Sequence, residues 1–209
     1  QITKIYKTQG ETITALNHVD LNIDQGEFVA IMGRSGSGKS TMLNILGCMD
    51  KPTAGQYQLA GKDVSVLNDD ELSQIRNDHI GFVFQGFHLL PRLTALENVM
   101  VPLRYASEAK QQNGEERAKE LLTKVGLGER VHHMSNEMSG GQIQRVAIAR
   151  SLINQPEVLL ADEPTGNLDS AISQQIIDLL TDLNKAGQTI VMVTHEPEIA
   201  ENAGRTIHF

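Results

Sequence analysis

The chain has 209 residues, 40% of them hydrophobic, which suits a single domain with a sizeable core. Its formal net charge of −8 argues against non-specific nucleic-acid binding, which needs Lys and Arg to neutralise phosphates. No apolar run reaches the roughly 20 residues that a membrane-spanning helix needs, and we expect no signal peptide. The single cysteine, Cys48, lies in an apolar stretch. We therefore expect a buried core residue in a reducing compartment.

Strand-like and helical patterns alternate along the chain. The strand-like segments are ITALNHVDLNI, EFVAIM, QYQLA, GFVFQ, EVLLA and QTIVMVTH. Helical periodicity is found near 39–48, 69–78, 94–105, 114–125, 141–154, 170–185 and 196–202. The continuous apolar runs EVLLA and TIVMVT are typical of strands that helices cover on both faces. The pattern predicts an α/β fold with a mainly parallel sheet.

The stretch 87–138 differs from the rest of the chain because it has helical patterns and no convincing strand. We expect it to form a helical lobe inserted into a core made of residues 1–86 and 139–209, within one domain spanning 1–209. The first 30 residues and 55–65 favour an antiparallel β layer at one edge of that core. The polar segment 106–116 is expected to be a surface connection.

A glycine-rich segment, GRSGSGKST, follows the strand EFVAIM and precedes a helix. It fits the phosphate-loop pattern G-x-x-x-x-G-K-[ST] in its usual strand–loop–helix context, and a glycine-rich turn without a ligand is the alternative. We expect Lys39 to reach the β- and γ-phosphates and the Ser40 hydroxyl to ligate Mg²⁺. The predicted phosphate loop comprises Gly33, Arg34, Ser35, Gly36, Ser37, Gly38, Lys39, Ser40 and Thr41.

Two acids end the apolar strand EVLLA. Asp162 is placed to hold Mg²⁺ through water beside the phosphates, and Glu163 is the candidate general base for an attacking water. The alternative is an acidic turn before Pro164. The sequence predicts a hydrolytic site if this strand ends beside the phosphate loop.

Polar residues also follow two other strands. His195, after TIVMVT, could bond the γ-phosphate and position the water, or it could be a surface histidine. Gln85, after GFVF, could ligate Mg²⁺ and orient water, or it could be an exposed loop residue. Tyr6 could stack on an adenine ring, or it could simply pack.

The segment MSGGQ (138–142) precedes an amphipathic helix. It is called the signature segment below. Free N–H groups at a helix start favour an anion, and the predicted donors are Ser139, Gly140 and Gly141, with Gln142 starting the helix. This second anion cradle lacks a lysine and acids of its own, and its neighbourhood has no other sign of a nucleotide site.

Taken together, Tyr6, GRSGSGKS, Gln85, MSGGQ, LLADE, NLD and His195 resemble the nucleotide-binding domain of ABC transporters over essentially the whole chain. The resemblance implies a P-loop NTPase core, ATP and Mg²⁺ as ligands, and hydrolysis of ATP to ADP and phosphate. It also implies a head-to-tail homodimer in which one copy's signature segment covers the γ-phosphate held by the other copy. Met138 departs from the leucine that is usual in the family.

NILGCMDKPTAG, GFVFQGFHLLPRLTALENV and DEPTGNLD are similar to the branch that includes the macrolide exporter MacB and the lipoprotein-releasing ATPase LolD. This implies an export-coupled ATPase at the cytoplasmic face of the inner or plasma membrane. Its partner would be an integral membrane subunit or fused transmembrane domain, with no nucleic acid. Phe87 and Leu90 are our candidates for contacts with that partner, and packing inside the helical lobe is the alternative for both.

Two other functions remain open from the sequence. One is an ATPase that regulates a cell-wall hydrolase through a membrane partner, as in FtsE-like relatives. The other, a DNA-repair type of ABC ATPase, is disfavoured because no sustained heptads separate the phosphate loop from the signature segment.

Overall fold

The computed structural model describes residues 1–7 and 10–209 of the chain, so Thr8 and Gln9 lie outside the described residues. The strands are β1 Ile2–Lys7, β2 Thr12–Val19, β3 Phe28–Met32, β4 Gln58–Leu59, β5 Lys62–Asp63, β6 Ile80–Phe84, β7 Val158–Asp162, β8 Thr189–Val193 and β9 Arg205–His208. The α-helices are α1 Lys39–Leu46, α2 Asp69–His79, α3 Ala95–Met100, α4 Glu108–Gln111, α5 Gly114–Lys124, α6 Gly140–Leu152, α7 Ser170–Lys185 and α8 Pro197–Ala200.

The central sheet has five strands in the order β6-β7-β8-β3-β9, and every neighbouring pair is parallel. All five residues of β8 and four of the five in β3 are buried, because helices cover both faces. The predicted α/β fold with a mainly parallel sheet is therefore confirmed. Because the strands are parallel, the residues that follow β3, β6, β7 and β8 all emerge at the same edge.

An antiparallel β layer packs beside this sheet. It consists of the β1–β2 pair, a bridge between Thr3 and Ala54, and the short β4–β5 hairpin. The strand expected over ITALNHVDLNI is shorter than predicted, since β2 ends at Val19 and its residue His18 has a φ of 51°. A left-handed residue at that point breaks the extended backbone.

The described chain between β6 and β7 contains α3 to α6 and three short 3₁₀ segments, Val101–Tyr105, Gly128–Arg130 and Ser135–Glu137. The helix expected over 94–105 is divided, because α3 ends at Met100 and a 3₁₀ segment containing Pro102 follows. Proline has no N–H to continue an α-helix. The polar connection expected at 106–116 holds α4 and the start of α5.

The core consists of two hydrophobic clusters. One joins the helical region to α6 and α7, and the other joins α1 to the antiparallel layer. Cys48 is 3% exposed in the second cluster, and burial raises the pKa of its thiol to about 11. As expected it is a core residue, but it lies just beyond α1 with a φ of 52°.

Candidate nucleotide site

The phosphate loop leaves the end of β3 and enters α1, in the predicted strand–loop–helix arrangement. Glycine is required at Gly33, where an added Cβ would lie 2.5 Å from the carbonyl oxygen of Phe209. It is also required at Gly38, where φ is 102° and a Cβ would lie 2.5 Å from the carbonyl oxygen of Ala15. These close backbone approaches fix the shape of the loop.

The donors of this loop suit a polyphosphate. Gly38 caps α1 without a side-chain hydrogen bond, so no side chain of the cap competes for the N–H groups of the first turn. The Lys39 ammonium donates to the carbonyl oxygens of Gly33 at 2.9 Å and Arg34 at 2.8 Å, and therefore lies against the loop. The buried Ser37 hydroxyl has no hydrogen-bond partner among the described residues. A buried hydroxyl without a partner fits a site that an anion completes.

Asp162 ends β7 and is partly buried at the same edge. Burial, together with the neighbouring Glu163 carboxylate, raises the pKa of the Asp162 carboxyl, while Lys39 acts in the opposite direction. Two adjacent acids in a partly buried setting repel one another, and a divalent cation relieves that repulsion.

The predicted Mg²⁺ ligands are the Ser40 hydroxyl, the Gln85 amide and the Asp162 carboxylate. Among the described residues, no three His, Cys, Asp or Glu side chains are grouped so as to hold a metal ion by themselves. A sparse oxygen set of this kind suits Mg²⁺, which keeps several waters and shares substrate phosphates as ligands.

Glu163 lies directly after β7 in a left-handed conformation, with a φ of 44°. Its N–H donates to the carbonyl oxygen of Val193 at 2.9 Å, which ties it to the end of β8. The Nδ1 atom of His195 lies 3.0 Å from Glu163 Oε1. The structure therefore joins two residues that the sequence analysis predicted separately, and this bond leaves the other imidazole nitrogen of His195 available.

Gln85 follows β6 and contacts the turn after Glu163. The Asn167 amide donates to the carbonyl oxygen of Gln85 at 2.9 Å, and Gln85 Nε2 lies 3.4 Å from Asn167 Oδ1. A Cβ at Gly166 would lie 2.6 Å from Gln85 Nε2, so a side chain there would displace Gln85. The sequence analysis assigned no role to Asn167 or Gly166, although both lie in the motif GNLD.

Tyr6 is held in place by a network that the sequence analysis missed. Its hydroxyl donates to Asp50 at 2.8 Å, and the Lys4 ammonium donates to the other oxygen of the same carboxylate at 2.6 Å. The ammonium also lies 4.9 Å from the centre of the Tyr6 ring, a cation–π distance. Ile13, opposite Tyr6 in the β1–β2 pair, is 51% exposed. Lys4 and Asp50 thus fix the position of the Tyr6 ring in the antiparallel layer.

The signature segment starts α6 with a capping box. Ser139 Oγ accepts from the Gln142 N–H at 3.4 Å, and Gln142 Oε1 accepts from the Ser139 N–H at 2.9 Å. Gly141 is buried, and a Cβ there would lie 2.5 Å from Ile172 of α7. Among the described residues, no hydrogen bond or ion pair joins 139–142 to the phosphate loop. The structure therefore leaves these two predicted anion sites separate within one chain.

A groove of about 680 Å³ lies where α2, β6 and the helical region meet. Its lining includes Phe82 and Phe84, whose rings stack with centroids 5.4 Å apart, and His88, which packs edge-on against Phe84. Tyr105, 73% exposed, lies on its rim. Neither Phe87 nor Leu90 lines it.

A second cavity, also of about 680 Å³, lies between the antiparallel layer and the amino ends of β7 and β8. No Lys, Arg or His side chain lines it. It therefore offers no cationic side chain to a phosphate, in contrast to the edge of the sheet where the predicted phosphate loop lies.

The fold and the strand-end residues define a phosphate-loop nucleotide-binding domain. The family model described as ABC transporter matches residues 16–166. The chain is 54% identical over 206 residues to the uncharacterized ABC transporter ATP-binding protein YknY of Bacillus subtilis (strain 168), a match that covers 99% of this chain and 89% of that protein. The chain belongs to the ABC transporter family and is an ATP-binding ATPase domain.

Two further matches refine the comparison. The macrolide export ATP-binding/permease protein MacB of Marinobacter nauticus is 53% identical over 206 residues, covering 99% of this chain and 32% of that protein. The dimeric post-hydrolysis structure of the ATP-binding cassette MJ0796 bound to ADP and Pi is 50% identical, with a TM-score of 0.87 over 100% of this chain and 91% of that one. Within residues 1–7 and 10–209, every helix is too short or too polar to cross a bilayer.

Proposed function

We propose that this domain hydrolyses ATP to drive a membrane export complex of the macrolide-efflux and lipoprotein-release kind, at the cytoplasmic face of the inner or plasma membrane. One observation carries this proposal: the phosphate loop and the predicted catalytic residues follow strands that end at the same edge of the sheet. Those residues are Asp162, Glu163, His195 and Gln85. Gln85 directly follows Phe84, which lines the groove. The relative named a macrolide export ATP-binding/permease protein supports the export assignment.

In the proposed mechanism, the phosphate loop and Lys39 hold the β- and γ-phosphates of ATP. Ser40, Gln85 and Asp162 would hold Mg²⁺, which neutralises charge on the phosphates when bound. Glu163 takes the proton of the attacking water as general base. His195, bonded to Glu163 through Nδ1, contacts the γ-phosphate through its other nitrogen, and Tyr6 stacks on the adenine.

Two copies are proposed to assemble head to tail around ATP. The signature segment has first-turn N–H groups and a hydroxyl but no cation or acid of its own, so it suits a γ-phosphate that another copy holds. The dimeric state of the MJ0796 cassette supports this arrangement. Each site is then complete only when both copies contribute to it.

The groove beside Gln85 is the proposed docking surface for a cytoplasmic helix of the membrane subunit or fused transmembrane domain. Its aromatic floor and exposed Tyr105 offer apolar contact area, and Phe84 joins that floor directly to Gln85. Phe87 lies on the same turn, and its carbonyl oxygen accepts from Arg150 at 2.9 Å, but neither the Phe87 nor the Leu90 side chain lines this groove. Tyr105 replaces Phe87 and Leu90 as our main contact candidate.

The docking proposal is tested with Tyr105→Asp, assayed by co-purification with the membrane subunit and by ATPase activity of the complex. We expect loss of assembly, because an unpaired carboxylate is costly to bury in an interface. ATP binding by the purified domain should not change. Val66→Asp is the matched control, since Val66 is 79% exposed and does not line the groove. Normal assembly of Tyr105→Asp would refute docking at this groove.

A further inference from the structure

Gln144 is a buried polar residue in the middle of α6 that the proposed mechanism does not use. Its side chain is 0% exposed. Its Nε2 atom donates to the carbonyl oxygen of Pro164 at 2.6 Å and lies 3.5 Å from the carbonyl oxygen of Phe84. One amide group thus contacts the residue after Glu163 and the residue before Gln85.

The orientation of this amide is fixed by its surroundings. If the amide were turned over, its oxygen would face two carbonyl oxygens, and both contacts would be repulsive. In the observed orientation the Oε1 atom is buried without a hydrogen-bond partner among the described residues. A buried acceptor without a partner is destabilising, because it loses its hydrogen bonds to water. A methionine or leucine would remove the unpaired oxygen but would also leave the buried carbonyl oxygen of Pro164 without this donor, so the contribution of the amide is made to the turn that follows Glu163.

The contact with Pro164 bears on the general base because of the local backbone. Glu163 is in a left-handed conformation, which is strained for any residue other than glycine because of its Cβ atom. The N–H of Glu163 is tied to Val193, and the carbonyl oxygen of the next residue, buried Pro164, is tied to Gln144. The turn that carries the Glu163 carboxylate is therefore held at both ends.

We propose that Gln144 is a positioning residue for ATP hydrolysis, which holds Glu163 in its left-handed turn and ties that turn to the strand before Gln85. Because Gln144 lies on the helix that starts at Ser139, it also links the general base to the segment that covers the partner copy's nucleotide. The inference rests on the proposed role of Glu163.

The first test is Gln144→Met, a substitution of similar shape that removes the donor. We expect kcat for ATP hydrolysis to fall by about 10- to 100-fold, because small displacements of a catalytic group have effects of this size. KM for ATP should stay within about twofold of wild type, because no group that binds ATP is removed. In a Glu163→Gln background, the same substitution should leave ATP-driven dimerisation intact.

The second test is Gln144→Glu, which can restore the donor. Burial and the two facing carbonyl oxygens raise the pKa of such a carboxyl, so its neutral form donates to Pro164. Below that pKa the variant should approach wild-type kcat, and above it kcat should fall. The kcat of Gln144→Glu relative to wild type should therefore rise as the pH is lowered, whereas that of Gln144→Met should not change with pH.

The control is Asn184→Leu, near the end of α7 and outside the docking groove. Asn184 is partly buried and its amide likewise donates to a backbone carbonyl, that of Gly26 at 2.9 Å. We expect Asn184→Leu to lower the melting temperature while leaving kcat close to wild type. If Gln144→Met and Asn184→Leu change kcat and melting temperature in parallel, Gln144 has only a structural role and the inference is overturned.

Two further outcomes separate this inference from the proposal on which it rests. Full hydrolysis by Glu163→Gln would remove the assigned general base, whatever Gln144 does. Loss of hydrolysis in Glu163→Gln with wild-type kcat in Gln144→Met would overturn the positioning role alone. If Gln144→Met fails to fold, Gln144→Glu decides the question, and a pH profile identical to wild type counts against the inference.

Discussion

Two helices of this domain begin with glycine-rich segments that we propose as anion cradles, and the two are built differently. α1 begins after Gly38 with no side-chain cap, with the Lys39 ammonium against its loop and an unpartnered Ser37 hydroxyl. α6 begins after Ser139, which forms a capping box with Gln142, and the signature segment contains no Lys or Arg. The first cradle can hold a highly charged ligand by itself. The second offers only dipoles, so it can complete a site but cannot form one.

The surroundings of the two cradles sharpen this difference. Asp162, Glu163 and His195 reach the α1 edge because the sheet is parallel. At α6, Gly141 is required for close packing against Ile172, so that glycine serves the fold as well as an anion. This difference supports the proposal that ATP is hydrolysed at the start of α1 and that the start of α6 covers the nucleotide held by another copy.

The largest expected effect is that of Glu163→Gln, which removes the proposed base from the α1 side. Hydrolysis should fall by about 10²- to 10⁴-fold, the range for loss of a general base, while ATP still binds. The measurement is steady-state phosphate release beside an ATP titration. Hydrolysis at the wild-type rate would exclude Glu163 as the base.

Next comes Ser139→Arg, which changes only the second cradle. In the Glu163→Gln background with Mg-ATP, dimerisation should weaken by about 100-fold, because a bulky cation would face the partner's Lys39. Sedimentation with and without ATP measures this, and ATP affinity of the single chain should be unchanged. A dimer that forms as well as before would contradict the assignment of this segment to the partner's site.

Lys39→Ala should weaken ATP binding by about 10- to 100-fold, since a charge-assisted hydrogen bond is worth about 1.5–3 kcal/mol. Lys119→Ala is a suitable control, because its salt bridge to Glu115 is on the exposed face of α5. Calorimetric titration with ATP measures both variants. Equal affinities for Lys39→Ala and wild type would show that the α1 loop is not the primary phosphate site.

The smallest expected effect is at the adenine end of the α1 site. Tyr6→Ala should weaken ATP binding by about 2- to 12-fold, the value of an aromatic contact of about 0.5–1.5 kcal/mol. Tyr6→Phe keeps the ring but loses the bond to Asp50, so its effect should be smaller. If the two variants bind ATP equally poorly, the hydroxyl matters and stacking does not.

The residues of the site that sequence could predict are those encoded by local patterns. The phosphate loop, Asp162 and Glu163 lie at strand ends within short motifs, so strand periodicity and spacing were sufficient to place them. The α/β fold followed from the same apolar runs. The bounds of β2 and the helix expected over 94–105 were wrong because local features, a left-handed His18 and the N–H-lacking Pro102, override periodicity.

Contacts between distant segments could not be predicted in the same way. The bond between His195 and Glu163 spans 32 residues, that between Gln144 and Pro164 spans 20, and the one between Tyr6 and Asp50 spans 44. No periodicity encodes which side chains meet across a sheet edge. The left-handed turn at Glu163 could not be predicted from the sequence either, because tertiary hydrogen bonds hold the residue in a conformation that it does not prefer locally.

The most direct test of the account is a mixing experiment with two impaired variants, Lys39→Ala and Ser139→Arg, at an ATP concentration that saturates only the intact phosphate loop. If each site combines the phosphate loop of one copy with the signature segment of the other, their heterodimer contains one intact site. The substituted Arg then faces a loop that has lost its ammonium. We predict that the mixture hydrolyses Mg-ATP faster than the sum of the two variants measured separately. Hydrolysis by the mixture equal to the sum of the separate variants would contradict the claim that each site combines the phosphate loop of one copy with the signature segment of the other.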